Sequence, residues 1–473
     1  MTTPNIKSNS GLRAECLPFT EVIAQSIANI APSAGPALFI PSVFAVAGNG
    51  TWLTFVFSTI ALVLLGINIS QFAKRSASPG GLYSYSSKEF GSFVGSLTGW
   101  ALIIAYLLTA SAVICGFTSY GNVILSNFGV NISPVIVCLF GGITSWYVAY
   151  RDVKLSAKLM LAFEAVSLVL LLILGVIILL SYGPHIDFAQ LKLQGVSANS
   201  IKQGLVLAIF SYVGFESASA LGDEAKNPKK NIPRAIIISA LFVGIFYIYI
   251  TYCEIVGLMG TGQSLDKVDA PPVFLASKYG LKVLGGFLAI GALVSFWSCV
   301  TACMNAGSRT IFTMSRHKLL PSFLSKVHVK NETPCIAVTF SSITMIIFPI
   351  VLMAFGSKLF DIFGWLATIA TFGFLFAYIV IAIGAPIYLH REKQLTISNI
   401  IISILTLAIL VIAVVGSVYP LPAYPYNMFP FIFVGWMIIG GIYLFAKARD
   451  ESIVKCIKED IDACEIEYEK KVG

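Results

Sequence analysis

Three carboxylates, Glu164, Glu216 and Glu254, fall inside stretches of this chain that are otherwise apolar. A charge held away from water is costly unless it is paired, protonated or facing a polar pathway, so such residues are candidates for proton exchange. Glu216 ends the run Ser211-Tyr212-Val213-Gly214-Phe215-Glu216, and an earlier run reads Ala31-Pro32-Ser33-Ala34-Gly35-Pro36. Both runs put helix breakers where a membrane helix would carry leucines. A broken helix offers free N–H groups and positive dipole at one half and freed carbonyls at the other. The first suits a carboxylate and the second an ammonium or a cation.

Ser33, Ala34 and Gly35 are small enough to let a ligand approach the main chain, and Pro32 and Pro36 hold the interruption open. A lone proline kink would explain one such run; two in register point to a site. Phe210, Ser211, Tyr212 and Gly214 surround the second break, and Tyr106 lies mid-span in the third apolar stretch. Each aromatic could equally be packing. Glu216 is read as a coupling group, with a hydrogen-bonded strut as the alternative. Glu164 is read as a second titrating group or a helix-contact residue, and Glu254 as a residue solvated at the interface. Ser298, Thr301 and Asn305 recur at i, i+3, i+7, a polar stripe whose hydroxyls suit Na⁺ or close helix packing. Cys299 and Cys303 lie one turn apart and read as filler rather than a metal site, and no metal or cofactor motif is present.

The elements that must position these groups are membrane helices. Hydrophobic residues make up 57% of 473 positions and charged residues 11%, and the mean hydropathy is +0.85, which excludes an ordinary soluble domain. Twelve stretches approach or exceed the length of a span: 20–46, 52–73, 92–124, 133–150, 157–182, 201–223, 234–260, 282–313, 334–356, 360–388, 397–419 and 427–447. With both termini placed in the cytoplasm, all Lys and Arg fall inside except Lys192, Lys202, Lys267, Lys278, Lys282 and Lys358. The net charge of +8 therefore fixes topology and does not imply a nucleic-acid partner. The N-terminal 19 residues show no cleavable signal, so the first span is expected to be retained. Span eight is long enough for its last two turns to project, the run 78–83 reads as a turn into a surface helix, and Ala448–Tyr468 reads as a solvated helical tail.

Residues 20–182 and 201–388 each hold five spans, so the second half is inverted relative to the first, with 397–447 appended as helices 11 and 12. The segments 1–19 and 448–473 flank this core. No phosphate-binding loop, nucleophile elbow or metalloprotease run appears, which argues against ATP-driven transport or a membrane-embedded enzyme; a channel would not need paired breaks.

The most specific run is Phe210 to Ser217, continuing through Asn227-Pro228-Lys229-Lys230-Asn231-Ile232-Pro233-Arg234-Ala235-Ile236, supported by Pro79-Gly80-Gly81-Leu82-Tyr83-Ser84-Tyr85 and Ser315-Arg316-His317-Lys318-Leu319-Leu320-Pro321. On these runs the chain resembles the amino acid–polyamine–organocation (APC) transporter superfamily. The resemblance implies an all-α integral membrane protein with 12 transmembrane helices, a five-plus-five inverted repeat (the LeuT-like, or APC, fold) and unwound first and sixth helices. It implies an amino acid permease of the cell membrane, working by alternating access, with Phe210 as outer gate. It also implies a coupling role for Glu216, since the matching position takes part in proton coupling in some members. Two departures stand out. The first break reads Pro-Ser-Ala-Gly where many members have Gly-Ser-Gly. A lysine common on the fifth span of proton-coupled members is replaced, counting from Ser156-Ala157-Lys158, by Ser167, with Glu164 one turn earlier. A neutral amino acid is the expected substrate, a polyamine or cationic amino acid the alternative. H⁺ or Na⁺ is the expected coupling ion unless exchange operates, in a monomer or homodimer.

Overall fold

The computed structural model describes residues 11–76, 78–151 and 153–460, and these are helical throughout apart from turns and one isolated β-bridge, Leu17 to Ala225. In chain order α1 (Phe19–Ile30) and α2 (Ile40–Ala47) are separated by a 3₁₀ turn, Pro32–Ala34, and a π turn, Gly35–Phe39. Then come α3 (Thr51–Ala73), α4 (Leu82–Asn127), α5 (Pro134–Arg151), α6 (Val153–Tyr182), the short α7 (Phe188–Leu191) and α8 (Ala198–Phe210). A second interruption leads into a 3₁₀ segment, Ser217–Leu221. It is followed by α9 (Pro228–Leu258), α10 (Pro271–Lys278), α11 (Lys282–Arg316), α12 (Cys335–Ala354), α13 (Leu359–Arg391), α14 (Ile397–Val418) and α15 (Phe429–Lys447).

Among the described residues nine helical stretches are long and apolar enough to cross a membrane, the first, Phe19–Ala73, running through α1 to α3. α5 and α8 fall outside that set. α8 is stopped after 13 residues by the second break, and α5 has only 18 residues, closing on Tyr150 and Arg151.

Local signals start and stop these helices. Ser197 and Ser200 form a reciprocal capping box for α8, Thr396 caps α14 through the Asn399 N–H, and Pro228 and Pro271 open α9 and α10 with the angle and missing donor that a first turn tolerates. Most of the core is one large cluster, in which α4 packs between α11 and α13, α3 against α9, and α1 against α6, α9 and α11, with two smaller clusters beside it. α14 and α15 join the edge of the large cluster through Leu410, Ala413, Phe429 and Phe433, and their other faces carry exposed apolar side chains such as Ile404, Ile438 and Ile442. α15 is pinned to α4 by Trp100 and Trp436, stacked at 4.3 Å, each indole N–H donating to the other residue's carbonyl.

Cross-links define two faces. On the tail face Arg391 meets Glu89 at 2.9 Å and Leu17 N–H donates to Glu224 O. On the far face Asn49 donates to Gln194 O and Trp52 to Gln190 O.

Two expectations are corrected here. The helix after the 78–81 turn is not on the surface: Leu82 to Ser87 are buried, and Gly91, at φ 81° and ψ 179°, bends the chain into the long part of α4. A Cβ on Gly222 would meet the Ser78 backbone at 2.3 Å, so this segment is wedged against the 3₁₀ half of the second interrupted helix. Nor is the tail solvated all round: one face of it is docked while the other stays exposed. Residues 451–460 are helical, Ile453 and Ile457 are buried with Phe312, Met314 and Leu319, and Asp460 meets Arg316 at 2.7 Å and His317 at 3.0 Å. Residues 461–468 of the expected tail helix lie outside the described residues, as do residues 1–10 of the N-terminal segment. α11 continues as one helix to Arg316, and its last turns are buried.

Candidate functional site

The first break begins at Ala31, a non-glycine residue held left-handed at φ 53°, a conformation that costs roughly 1 kcal/mol or more. Pro32 then prevents the helix from resuming. The backbone is closed on itself: Ala34 N–H donates to Ala31 O and Gly35 N–H to Pro32 O. Ser33 N–H is the donor left over, and it reaches Glu164 Oε1 of α6 at 2.7 Å. A side-chain carboxylate thus sits where the sequence suggests that a substrate carboxylate would. Ser167, the residue counted to the lysine position, instead faces α11, where a Cβ on Gly291 would meet its hydroxyl at 2.8 Å.

The second break turns on Gly214, at φ 89°. Its carbonyl accepts from Ser217 N–H at 2.8 Å and from Asn29 Nδ2 at 3.3 Å. Phe215 O accepts from the Ser26 hydroxyl at 2.6 Å, and Ser211 O from the Tyr247 hydroxyl at 3.2 Å. The two breaks are therefore joined by α1 on one side and Tyr247 on the other. Tyr247 also lies against Gly35, where a Cβ would come within 2.1 Å of its ring. Glycine is required there by close approach, and at Gly214 by both φ and the Asn29 side chain at 2.3 Å.

Glu216 is fully buried and accepts two hydrogen bonds, from the Tyr106 hydroxyl at 2.7 Å and the Tyr378 hydroxyl at 2.6 Å. Tyr106 is thus a hydrogen-bond partner of Glu216. Tyr212 is turned away from the cavity side, its hydroxyl 2.8 Å from that of Thr59, and the Ser211 hydroxyl bonds back to Ala208 O. Phe210 forms a three-ring group with Phe39 and Phe363, centroids 5.7–5.9 Å apart. All three rings line a far-face cavity of about 540 Å³.

Of the span-eight stripe, Thr301 spends its hydroxyl on Trp297 O, while the Ser298 hydroxyl is buried and unpartnered. Ser33, Ser295 and the second oxygen of Glu164 are unpartnered as well, and both serines face Glu164. A set of oxygen donors around one carboxylate is what a hard monovalent cation or a proton would use. Cys299 and Cys303 are not filler: their thiols reach Asn29 O at 3.0 Å and Asn29 Oδ1 at 2.7 Å. Glu254 is 1% exposed, and neither of its oxygens has a partner. Solvation at an interface does not account for it.

Toward the tail face the site is shut by a buried ion pair, Arg309 to Glu224, bidentate at 2.6 and 2.7 Å, with Arg309 also on Asn305 O. Asn29, Tyr247, Tyr378, Phe39, Phe363, Glu224 and Arg309 were not singled out from the sequence as parts of a site. A signal existed for Arg309, a charge inside the apolar stretch 282–313, and for Glu224, a charge just beyond the end of 201–223.

Residues 21–455 match the family model described as Amino acid permease. The chain is 26% identical over 312 residues to the branched-chain amino acid permease BcaP of Bacillus subtilis (strain 168), covering 62% of this chain and 66% of that protein, just under two thirds of its length. It is 26% identical over 374 residues to the methylthioribose transporter of the same organism, covering 74% and 76%. The serine/threonine exchanger SteT, also from that organism, is 25% identical over 313 residues, covering 63% and 68%.

Proposed function

The chain belongs to the amino acid permease family, a family of transporters, and we propose that it is a secondary active carrier of a neutral amino acid across the cell membrane. The observation that carries this reading is the meeting of two interrupted helices, each tied to a buried carboxylate: Ser33 N–H to Glu164, and the Gly214 turn to Glu216. In this reading α1 with α2, and α8 with Ser217–Leu221, are the unwound first and sixth of twelve spans. They belong to a five-plus-five inverted repeat with α14 and α15 appended and both termini in the cytoplasm.

Coupling follows from competition for one donor. While Glu164 is charged and holds Ser33 N–H, a substrate carboxylate at that N–H would meet like charge at close range. A proton on Glu164, or a cation among Ser33, Ser295 and Ser298, removes that repulsion and frees the N–H, so ion and substrate load together. Glu216, braced by Tyr106 and Tyr378, would hold the inner half of the second break and the route to the tail face. Phe210 with Phe39 and Phe363 would gate the far face. The apolar character of that gate, and the similarity to a branched-chain permease, favour leucine, isoleucine and valine as the first substrates to test.

The test is counterflow in proteoliposomes across the twenty amino acids and common amines, in NaCl or choline chloride and with or without a pH gradient. The expected result is saturable exchange of neutral amino acids, with Glu164→Gln retaining exchange but losing gradient-driven accumulation. Unsaturable, purely conductive flux would sink the carrier reading, and full accumulation by Glu164→Gln would sink its coupling role.

A further inference from the structure

A second group of oxygens lies away from both breaks, toward the far face. Glu254 stands near the end of α9, buried, with Oε1 and Oε2 both lacking any hydrogen-bond donor among the described residues. Thr251, one turn earlier on the same face, is fully buried, and its hydroxyl is unpartnered too. That is unusual in this chain, where Thr59, Thr118, Thr301, Thr313 and Thr371 all bond back to the preceding turn. From α4 comes Tyr120, 4% exposed, its hydroxyl unpartnered and within electrostatic range of both Glu254 and Asp269.

The ring of Tyr120 also lines a far-face pocket of about 290 Å³, with Ser119, Asp266, Lys267 and Asp269 among the other lining residues. Tyr120 thus belongs both to a pocket whose lining carries two carboxylates and one ammonium and to the surroundings of the buried carboxylate. A lone buried carboxylate is strongly unfavourable without a compensating charge. A proton alone would neutralise the carboxyl but leave the Thr251 and Tyr120 hydroxyls unengaged. A small cation set among the oxygens would engage all of them at once, as hard oxygen donors do.

We propose that Glu254, Thr251 and Tyr120 form a site for a small monovalent cation, entered from the far-face pocket and separate from the Glu164 and Glu216 positions. The site is independent of which substrate the chain carries. Asp266 and Asp269 concentrate cations at the mouth, and Tyr120 closes over the ion once it has passed.

The test uses the full-length protein in detergent, with thermal unfolding followed in NaCl, KCl or choline chloride at equal ionic strength, alongside equilibrium binding of ²²Na⁺. The expected result is a rise in Tm of about 2 °C or more in Na⁺ over choline. That shift and a matching share of bound ²²Na⁺ are lost in Glu254→Gln. Thr251→Val and Tyr120→Phe, which preserve shape, weaken Na⁺ by about threefold to tenfold, a change of roughly 0.6–1.4 kcal/mol. Ser298→Ala leaves the Glu254-dependent share intact. Should Glu254→Gln not fold, the Thr251 and Tyr120 variants decide the matter. No difference between Na⁺ and choline in the wild type overturns the site, as does a shift that survives in all three variants. A Glu254-dependent stabilisation by acid with no metal-ion dependence overturns it in favour of a proton. Leucine counterflow after reconstitution of the same proteins into proteoliposomes reports separately on the proposed function.

Discussion

Glu216 is held by two tyrosine hydroxyls, and its environment makes distinct forecasts for these partners. Tyr378→Phe leaves one buried carboxylate oxygen without a donor, which costs about 1–3 kcal/mol. We expect a measurable fall in thermal stability and slower counterflow, whereas an unchanged Tm and rate would show that the Tyr378 bond is dispensable. Glu216→Gln should abolish pH-driven accumulation while leaving part of the exchange, and unaltered pH-driven uptake would remove it from coupling. At the first break, Gly35→Leu must displace the Tyr247 ring, since even a Cβ comes within 2.1 Å of it. Insertion should survive and substrate binding should be lost, and retained binding would put the site elsewhere. Much of this was legible along the chain. Glycine, proline and intramembrane carboxylates announce themselves by type, so Ser33–Gly35, Glu164 and Glu216 could be chosen without a structure. Their partners could not. Tyr378 is 162 positions from Glu216 and Asn29 is 274 from Cys303, and nothing in the spacing of a residue's own helix tells which neighbour it meets. Glu254 was misread for a related reason: closeness to a helix end suggests water, but α10 and the 259–270 loop are folded beside that end.

At the scale of elements, the two interrupted helices are held differently. The first is fixed by its own turn and by Glu164, whereas the second leans on Ser26, Asn29 and Tyr247. Movement of α1 must therefore break carbonyl contacts made by the second break, which couples the two. On the tail face the Arg309–Glu224 pair joins α11 to the segment after the second break, and Leu17 pairs with that segment, its N–H donating to Glu224 O and its carbonyl accepting from Lys226 N–H. Removing one member of a buried pair costs about 3–5 kcal/mol because the other charge is stranded. Arg309→Met should thus weaken closure of the tail face. A cysteine placed at Ser217 in a background lacking Cys299 and Cys303 should become several-fold more reactive to an impermeant reagent from that side. Equal reactivity with and without Arg309 would show that the pair is not a closure device. Helical positions were readable from hydropathy to within a few residues, and the span at 92–124 fits within α4. What hydropathy could not supply was the Gly91 bend and the burial of Leu82–Ser87, because a short amphipathic turn beside a loop looks the same whether lipid, water or protein covers it.

For the whole molecule, the docked tail ties the end of α15 back to α11. Asp460 accepts from Arg316 and contacts His317 Nε2, while His317 Nδ1 meets the Tyr83 hydroxyl at 2.6 Å, so the tail is linked to the segment wedged under the second break. Burial pushes the Asp460 carboxyl up, but the His317 hydrogen bond and the Arg316 charge outweigh it and leave it below the usual range. A group whose pKa is lowered on folding adds stability above its unfolded value and loses it as pH falls through the folded one. Tail docking should therefore persist from neutral pH down through the ordinary carboxylate range and fail only in stronger acid. Hydrogen exchange of 451–460 would reveal this, and Asp460→Asn should exchange faster already at pH 7; identical protection in wild type and variant would show that the apolar contacts of Ile453 and Ile457 suffice. The two breaks also bear on how the protein is made. α1 and α8 have 12 and 13 residues, well under the roughly 20 that a translocon recognises as a span, and α1 carries Glu21, Gln25 and Asn29. Neither crosses the bilayer without the half beyond its break, α2 for α1 and Ser217–Leu221 for α8. Each interrupted helix must therefore enter the membrane with its break already in it, and the backbone groups freed there have to find their partners on other helices after insertion.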